Sequence, residues 1–250
     1  MTNLLESATG KPHLNFSMAH FSPYQAYLVY RELASKFAHD AVLLGIFPFN
    51  DFIDLDYHKS AHAPGYEYRY RPYLVGNSPD YLHVHYRESD WQRFLRRRSY
   101  AYSAIEILLS RLRGHDLHGY QWTKRADERG LQPSYYYDYT QPQLDLLKHC
   151  IQLIREQAGE RPVAVVLFPA PLDLVRYGKS GPIPLADELR RSVEASSFQI
   201  VDLLPKFYRS GRYAEKYYLS LENGDFHLSP RGNQVAAEFL HQELADFYRP

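Results

Sequence analysis

Asp40-Ala41-Val42-Leu43-Leu44-Gly45-Ile46-Phe47-Pro48-Phe49-Asn50-Asp51-Phe52 is the stretch on which the fold turns. It is apolar without a break from Ala41 to Phe49 and then stops on Asn-Asp. A strand covered on both faces has no polar side to show, so the run reads as a buried parallel strand rather than an alternating, half-exposed one. Its carboxyl end delivers Asn50, and open α/β sheets place their chemistry at the carboxyl ends of strands. Pro162-Val163-Ala164-Val165-Val166-Leu167-Phe168-Pro169 reads as a second buried strand, and Phe198-Gln199-Ile200-Val201-Asp202-Leu203 as the next one. A helix over Thr140 to Ala158, with Leu144, Leu147, Ile151 and Ile154 on one face, leads into the second of these strands. Strand and helix alternate, which predicts an α/β domain around a central parallel sheet.

Upstream of the decisive stretch, Pro12-His13-Leu14-Asn15-Phe16-Ser17-Met18-Ala19-His20-Phe21 reads as a short strand and turn. It runs into a helix opened by Ser22 as N-cap, with Pro23 at the first helical position and Gln25 at capping-box spacing. Downstream, the alternation is broken by an insertion over about residues 57–139, rich in Tyr, His and Arg, with Pro64-Gly65 and Gly76-Asn77-Ser78-Pro79 as turn signals. Within it, one long helix is expected from Asp90 to Leu112, striped by Phe94, Tyr102, Ile105, Leu108, Leu109 and Leu112. The chain has 23 tyrosines, dense over Tyr66–Tyr73 and Tyr135–Tyr139. Packing of the insertion is their ordinary role, and a sugar-stacking platform the functional one.

Near the end stands Gly224-Asp225-Phe226-His227-Leu228-Ser229-Pro230-Arg231-Gly232-Asn233. Ser229 as N-cap and Pro230 at the first helical position open a helix carried by Val235, Ala236, Phe239, Leu240 and Leu244. Asp225 and His227 are therefore expected in the loop that feeds it. An acid beside an imidazole is what a serine hydrolase uses to orient and charge its general base.

In order and context, these pieces resemble the SGNH (GDSL-type) hydrolase superfamily across residues 12 to 247. Asn15-Phe16-Ser17-Met18-Ala19-His20 is similar to the family's second block, Pro48-Phe49-Asn50-Asp51 to its third, and Asp225-Phe226-His227 to its fourth. The resemblance implies one three-layer α/β/α, flavodoxin-like domain over residues 1–250, with the insertion as a lid. It also implies ester hydrolysis or O-acyl transfer by a serine mechanism without metal or cofactor. The substrate would be a small-molecule or carbohydrate ester, such as an acetyl ester. His227 would be the general base and Asp225 its orienting acid. Asn50, through its side-chain amide, and His20, through its backbone N–H, would form the oxyanion hole.

Three departures from the family pattern matter. His20 and Pro48 stand where the family usually has Gly, and no Gly-Asp-Ser block occurs. Met1 to Lys11 reads as the end of the helix that follows that block, so either the segment has been cut away or the chain has lost its nucleophile. The first is favoured, because a sheet without its first central strand exposes apolar edge. Ser17, Ser22 and Ser229 each have a simpler, structural reading. Loss of the nucleophile would leave a protein that binds a glycan or a protein partner without turnover.

Charge and composition narrow the classes. Lys+Arg and Asp+Glu both number 29, which gives no global pull toward nucleic acid or anionic membrane. No apolar stretch approaches the roughly 18 residues needed to span a bilayer, and no export signal opens the chain. A cytoplasmic location follows by default, or export if a leader precedes residue 1. The single Cys150 excludes an intrachain disulfide. His83 and His85 would share one face of a strand, but no acid or Cys completes a metal set, and a solvated histidine surface is expected there. No glycine-rich phosphate loop follows any strand.

Overall fold

The computed structural model describes residues 1–19, 21–57, 71–85, 89–112, 134–180, 184–192, 198–209, 214–220, 225–245 and 247. The three apolar runs form the central sheet as β1 (Val42–Ile46), β4 (Val163–Leu167) and β5 (Gln199–Asp202), all parallel in the order β1-β4-β5. β4 lies in the middle and every one of its residues is buried, which is why its sequence carries no polar side. Val42 pairs with Val163 and Ile46 with Leu167 on one side of β4, and Leu167 with Asp202 on the other.

Helices pack around this sheet in pairs. α1 (Thr2–Thr9) lies against the last helix, α11 (Pro230–Glu243), and α2 (Pro23–Glu32) against α6 (Gln141–Ala158). The predicted apolar face of α6 is buried as Leu144, Leu147, Ile151 and Ile154, joined by Cys150 and Ala158. α2 begins at the expected capping box, with the Ser22 N–H donating to Gln25 Oε1 at 2.9 Å. α7 (Pro171–Ser180) and α8 (Pro184–Ser192) join β4 to β5, and α9 (Leu204–Arg209) follows β5 and packs on α7, with the short α10 (Ala214–Tyr217) after it.

Three local expectations are corrected. Residues 12–19 do not form a strand. Asn15 Oδ1 instead accepts the Ser17 N–H at 2.9 Å and the Ser17 hydroxyl at 2.6 Å, a local turn that competes with sheet pairing. The helix expected over residues 90–112 is two, α4 (Asp90–Arg98) and α5 (Tyr100–Leu112). Ser99 breaks them with an extended backbone (φ −135°, ψ 107°), and its hydroxyl accepts the Tyr102 N–H at 3.2 Å, as an N-cap does. Most of the predicted stripe is open to solvent among the described residues, with Phe94 52%, Ile105 55% and Leu108 56% exposed, while Tyr102 is half-buried. Finally, Asp225 and His227 sit in a strand, β7 (Asp225–Leu228), because β6 (Tyr218–Ser220) folds back antiparallel on it.

The insertion contains a hairpin outside the parallel sheet, β2 (Pro72–Asn77) with β3 (Asp80–His85). It docks on α2, where Gln25 Nε2 donates to the Pro72 carbonyl at 2.6 Å. No helix among the described residues is long and apolar enough to cross a membrane.

Candidate functional site

Chain direction brings the third block to the carboxyl end of β1. The strand stops at Ile46 and Pro48 opens the short helix α3 (Pro48–Asp54), which places Asn50 in its first turn. Asp51 fixes that turn, since its Oδ2 accepts the Phe47 N–H at 2.6 Å. Burial pushes the Asp51 carboxyl well above its ordinary range, and the nearby Asp54 adds to the effect. Asn50 Nδ2 donates to Asp54 Oδ2 at 3.0 Å, and Asp54 Oδ1 lies 3.8 Å from the buried Arg71 guanidinium. Arg71 thus holds Asp54, and Asp54 sets the plane of the Asn50 amide. Asn50 Oδ1 is buried with no hydrogen-bond partner among the described residues.

The fourth block arrives from the other side of the sheet's carboxyl end. Tyr218 in β6 donates its hydroxyl to the Pro169 carbonyl, just past β4, at 2.8 Å, and it pairs with Leu228 in β7. This anchors β7 and the exposed His227 beside the end of β4. Phe226, between Asp225 and His227, packs edge-on against Phe49 with ring centroids 4.9 Å apart. Phe49 is the residue before Asn50, so the two blocks, 175 positions apart in sequence, are neighbours in space. His20 and the side chain of Asp225 lie outside the described residues.

No family model, curated protein or solved structure matches this chain.

The three serines with simpler readings all have structural employment. Ser229 Oγ accepts the Gly232 N–H at 3.1 Å and donates to the Lys216 carbonyl, capping α11. Ser22 Oγ is held by Gln25 Oε1, and Ser17 Oγ by Asn15 Oδ1.

The sequence reading missed a second set of groups at the same end of the sheet. Asp173, in the first turn of α7, is fully buried. Its Oδ2 accepts the Ala170 N–H at 2.7 Å and its Oδ1 the Ser134 hydroxyl at 2.6 Å. Asp202 ends β5, with Oδ1 accepting the Leu204 N–H at 3.0 Å. Burial pushes Asp173 up to about 7 and Asp202 up to about 6. Tyr136 is fully buried beside Asp202, and burial with the neighbouring carboxylates raises its phenol well above the usual value. The signal was available as an acid at the end of β5 and another soon after β4. What brings Ser134 and Tyr136 to them from the far end of the insertion is tertiary.

The orienting role of Asp54 is open to measurement. Asp54→Asn replaces the carboxylate that Asn50 and Arg71 both face, and should lower stability by about 1–3 kcal/mol in urea unfolding. It should also weaken any rate that depends on Asn50.

Proposed function

We propose that this chain carries the general base and oxyanion donors of an SGNH-type serine ester hydrolase or O-acyltransferase acting on an acyl ester, such as an acetyl group on a carbohydrate. The observation that carries the reading is the Phe49–Phe226 contact, because it sets the Asn50 turn beside the strand of Asp225 and His227 at the carboxyl end of the sheet. That is where an α/β sheet places its chemistry. In this reading the fold is the three-layer SGNH type. The outer edge of β1 is where a strand bearing the nucleophile would add. Val42 and Ile46 turn their ladder groups toward β4, so those of Leu43 and Gly45 face the outer edge, where no strand lies among the described residues.

The chemistry divides among few groups. His227 accepts the proton of the serine hydroxyl as its oxygen attacks the ester carbonyl, and Asp225 orients the ring and stabilises the imidazolium. The amide N–H of Asn50 and the backbone N–H of His20 donate to the tetrahedral oxyanion. Collapse of that intermediate expels the alkoxide, which takes the proton from His227. Water, or an acceptor hydroxyl in a transferase, then repeats the sequence on the acyl-serine. Asn50→Ala should lower the rate about 10²–10³-fold through loss of one oxyanion donor.

A fluorophosphonate probe tests the reading on two forms, the present chain and a form extended upstream through any Gly-Asp-Ser segment, with the labelled peptide mapped by mass spectrometry. Labelling of that serine, lost with His227→Ala while the circular dichroism spectrum is retained, is the expected result. A label elsewhere in residues 1–250 would move the nucleophile. Absence of label on both forms, with binding of an acetylated sugar, would favour the non-catalytic glycan-binding reading over hydrolysis.

A further inference from the structure

The β2/β3 hairpin carries a constellation that the ester chemistry does not use. His83 and His85 are two apart in β3, so both imidazoles stand on one face while Val84 takes the other. Their Nε2 atoms are 2.6 Å apart, with ring centroids at 4.4 Å and planes inclined at 73°. Two ring nitrogens this close share a proton, with one ring donating N–H to the lone pair of the other. Both side chains are exposed, so solvent reaches the pair.

His83 is also held from behind. Its Nδ1 is hydrogen-bonded to the hydroxyl of Tyr24, which is only 4% exposed and meets the imidazole edge-on at 5.7 Å. Burial raises the Tyr24 phenol to about 12, so it stays neutral. A neutral phenol can accept the His83 Nδ1–H, and that tautomer leaves Nε2 as a lone pair directed at His85. This is the outer hydrogen bond that metal-binding histidines characteristically make. Tyr24 stands on α2 beside Gln25, and Gln25 is bonded to the Pro72 carbonyl directly opposite His85 in the hairpin register. Helix, both strands and one imidazole are therefore positioned before any ligand arrives.

We propose that His83 and His85 form a bidentate site for a divalent transition metal of square-planar or tetragonal preference, Cu(II) foremost. With metal–nitrogen bonds of about 2.0 Å, two cis ligands at a right angle are about 2.8 Å apart, whereas a tetrahedral ion separates them by about 3.3 Å. From 2.6 Å, the square-planar arrangement needs only a slight opening of the pair, and the tetrahedral one a much larger parting. The cation displaces the shared proton to solvent, and both rings turn so that their Nε2 lone pairs converge on the metal instead of facing each other. His85 then carries its hydrogen on Nδ1, so both rings remain neutral and each gives one Nε2 lone pair. Arg31 is a neighbouring cation that opposes metal binding, and it is itself engaged by Glu32 at 2.7 Å. No third His, Cys, Asp or Glu joins the pair among the described residues, so water completes the coordination.

Titration of the whole chain with Cu(II), followed by calorimetry and by electron paramagnetic resonance, decides the matter. Among the binding events, one is expected to show an equatorial two-nitrogen signature that is lost in His83→Ala and in His85→Ala. Because both residues are exposed, each variant should keep the parent's circular dichroism, and His85→Gln provides a second test with side-chain bulk retained. Tyr24→Phe should weaken that event roughly 10-fold, the usual effect of losing an outer hydrogen bond. A Cu(II) spectrum and isotherm unchanged by His85→Ala would overturn the proposal. Zn(II) held more tightly than Cu(II) by the pair would overturn it as well.

Discussion

Gly232→Ala is expected to destabilise the protein by about 3 kcal/mol or more, although the same exchange in an exposed helix stabilises by about 1 kcal/mol. Gly232 lies in the first turn of α11, and a Cβ there would collide with the Tyr217 carbonyl oxygen and come within 3.0 Å of its carbonyl carbon. Those atoms are backbone and cannot swing aside. The Tyr217 carbonyl also accepts the Ser229 N–H at 2.8 Å, and Tyr218 next to it pairs with Leu228. The collision must therefore push α11 away from β6 and β7, the ribbon that carries His227. Thermal or urea unfolding should show the loss directly. Under the proposed function, labelling of a serine activated by His227 should fall with it even below the melting temperature. A Gly232→Ala protein as stable as the parent would mean that the helix start and the ribbon do not touch as described.

The second large effect is a pH dependence from the buried carboxyls at the ends of β4 and β5. Burial raises Asp173 from 3.8 to about 7, so the folded protein binds a proton there that the unfolded chain has released. Stability therefore falls as pH rises from about 4 to about 7, where the unfolded state holds fewer protons than the native one, and levels off above, where neither holds this proton. At about 1.4 kcal/mol per pH unit, the difference is on the order of 4 kcal/mol as an upper figure. Asp202, raised to about 6, slopes the same way over a narrower window. The groups facing Asp173 include Asp202, Asp138, Tyr218 and the Ser134 hydroxyl. His83 and His149 are held below their ordinary value, so their contribution is lost as pH falls, the opposite slope. The informative comparison is parent against Asp173→Asn. The amide mimics the protonated acid, accepting the Ala170 N–H and donating to Ser134 Oγ. Urea midpoints at pH 5 and pH 8 should draw closer in the variant, and an unchanged gap would remove Asp173 from the account.

Both expectations rest on contacts between segments distant in sequence, whereas several elements were legible locally. The runs at 42–46 and 163–167 were legible as strands because Val, Leu and Ile dominate them with no polar residue, and Ile200-Val201 marks the third between Gln199 and Asp202. Ser22 and Ser229 start helices as their hydroxyl and the following Pro require. The α6 stripe is buried on the side its period defines. Local rules failed where a neighbour had to be known. Residues 12–19 have strand-like composition but gain no partner strand, and Asn15 turns the chain on itself. Asp225 to Leu228 read as a loop because the partner that makes it a strand lies across residues 221–224. The break at Ser99 was hidden because a serine inside an apolar period looks like an ordinary surface position.

By itself the sequence determined the α/β class, the parallel sheet, the helix starts and the residue types of the candidate site, because these follow from side-chain period and capping chemistry within a few residues. Only the tertiary structure decided that Phe226 rests on Phe49 and that Asp54 and Arg71 hold Asn50. It alone set Ser134 against Asp173 and Tyr24 behind His83. Apart from the i,i+4 bond between Asn50 and Asp54, each of these pairs closes a loop of many residues, and what selects it is the packing of the whole core rather than any preference of the residues that meet.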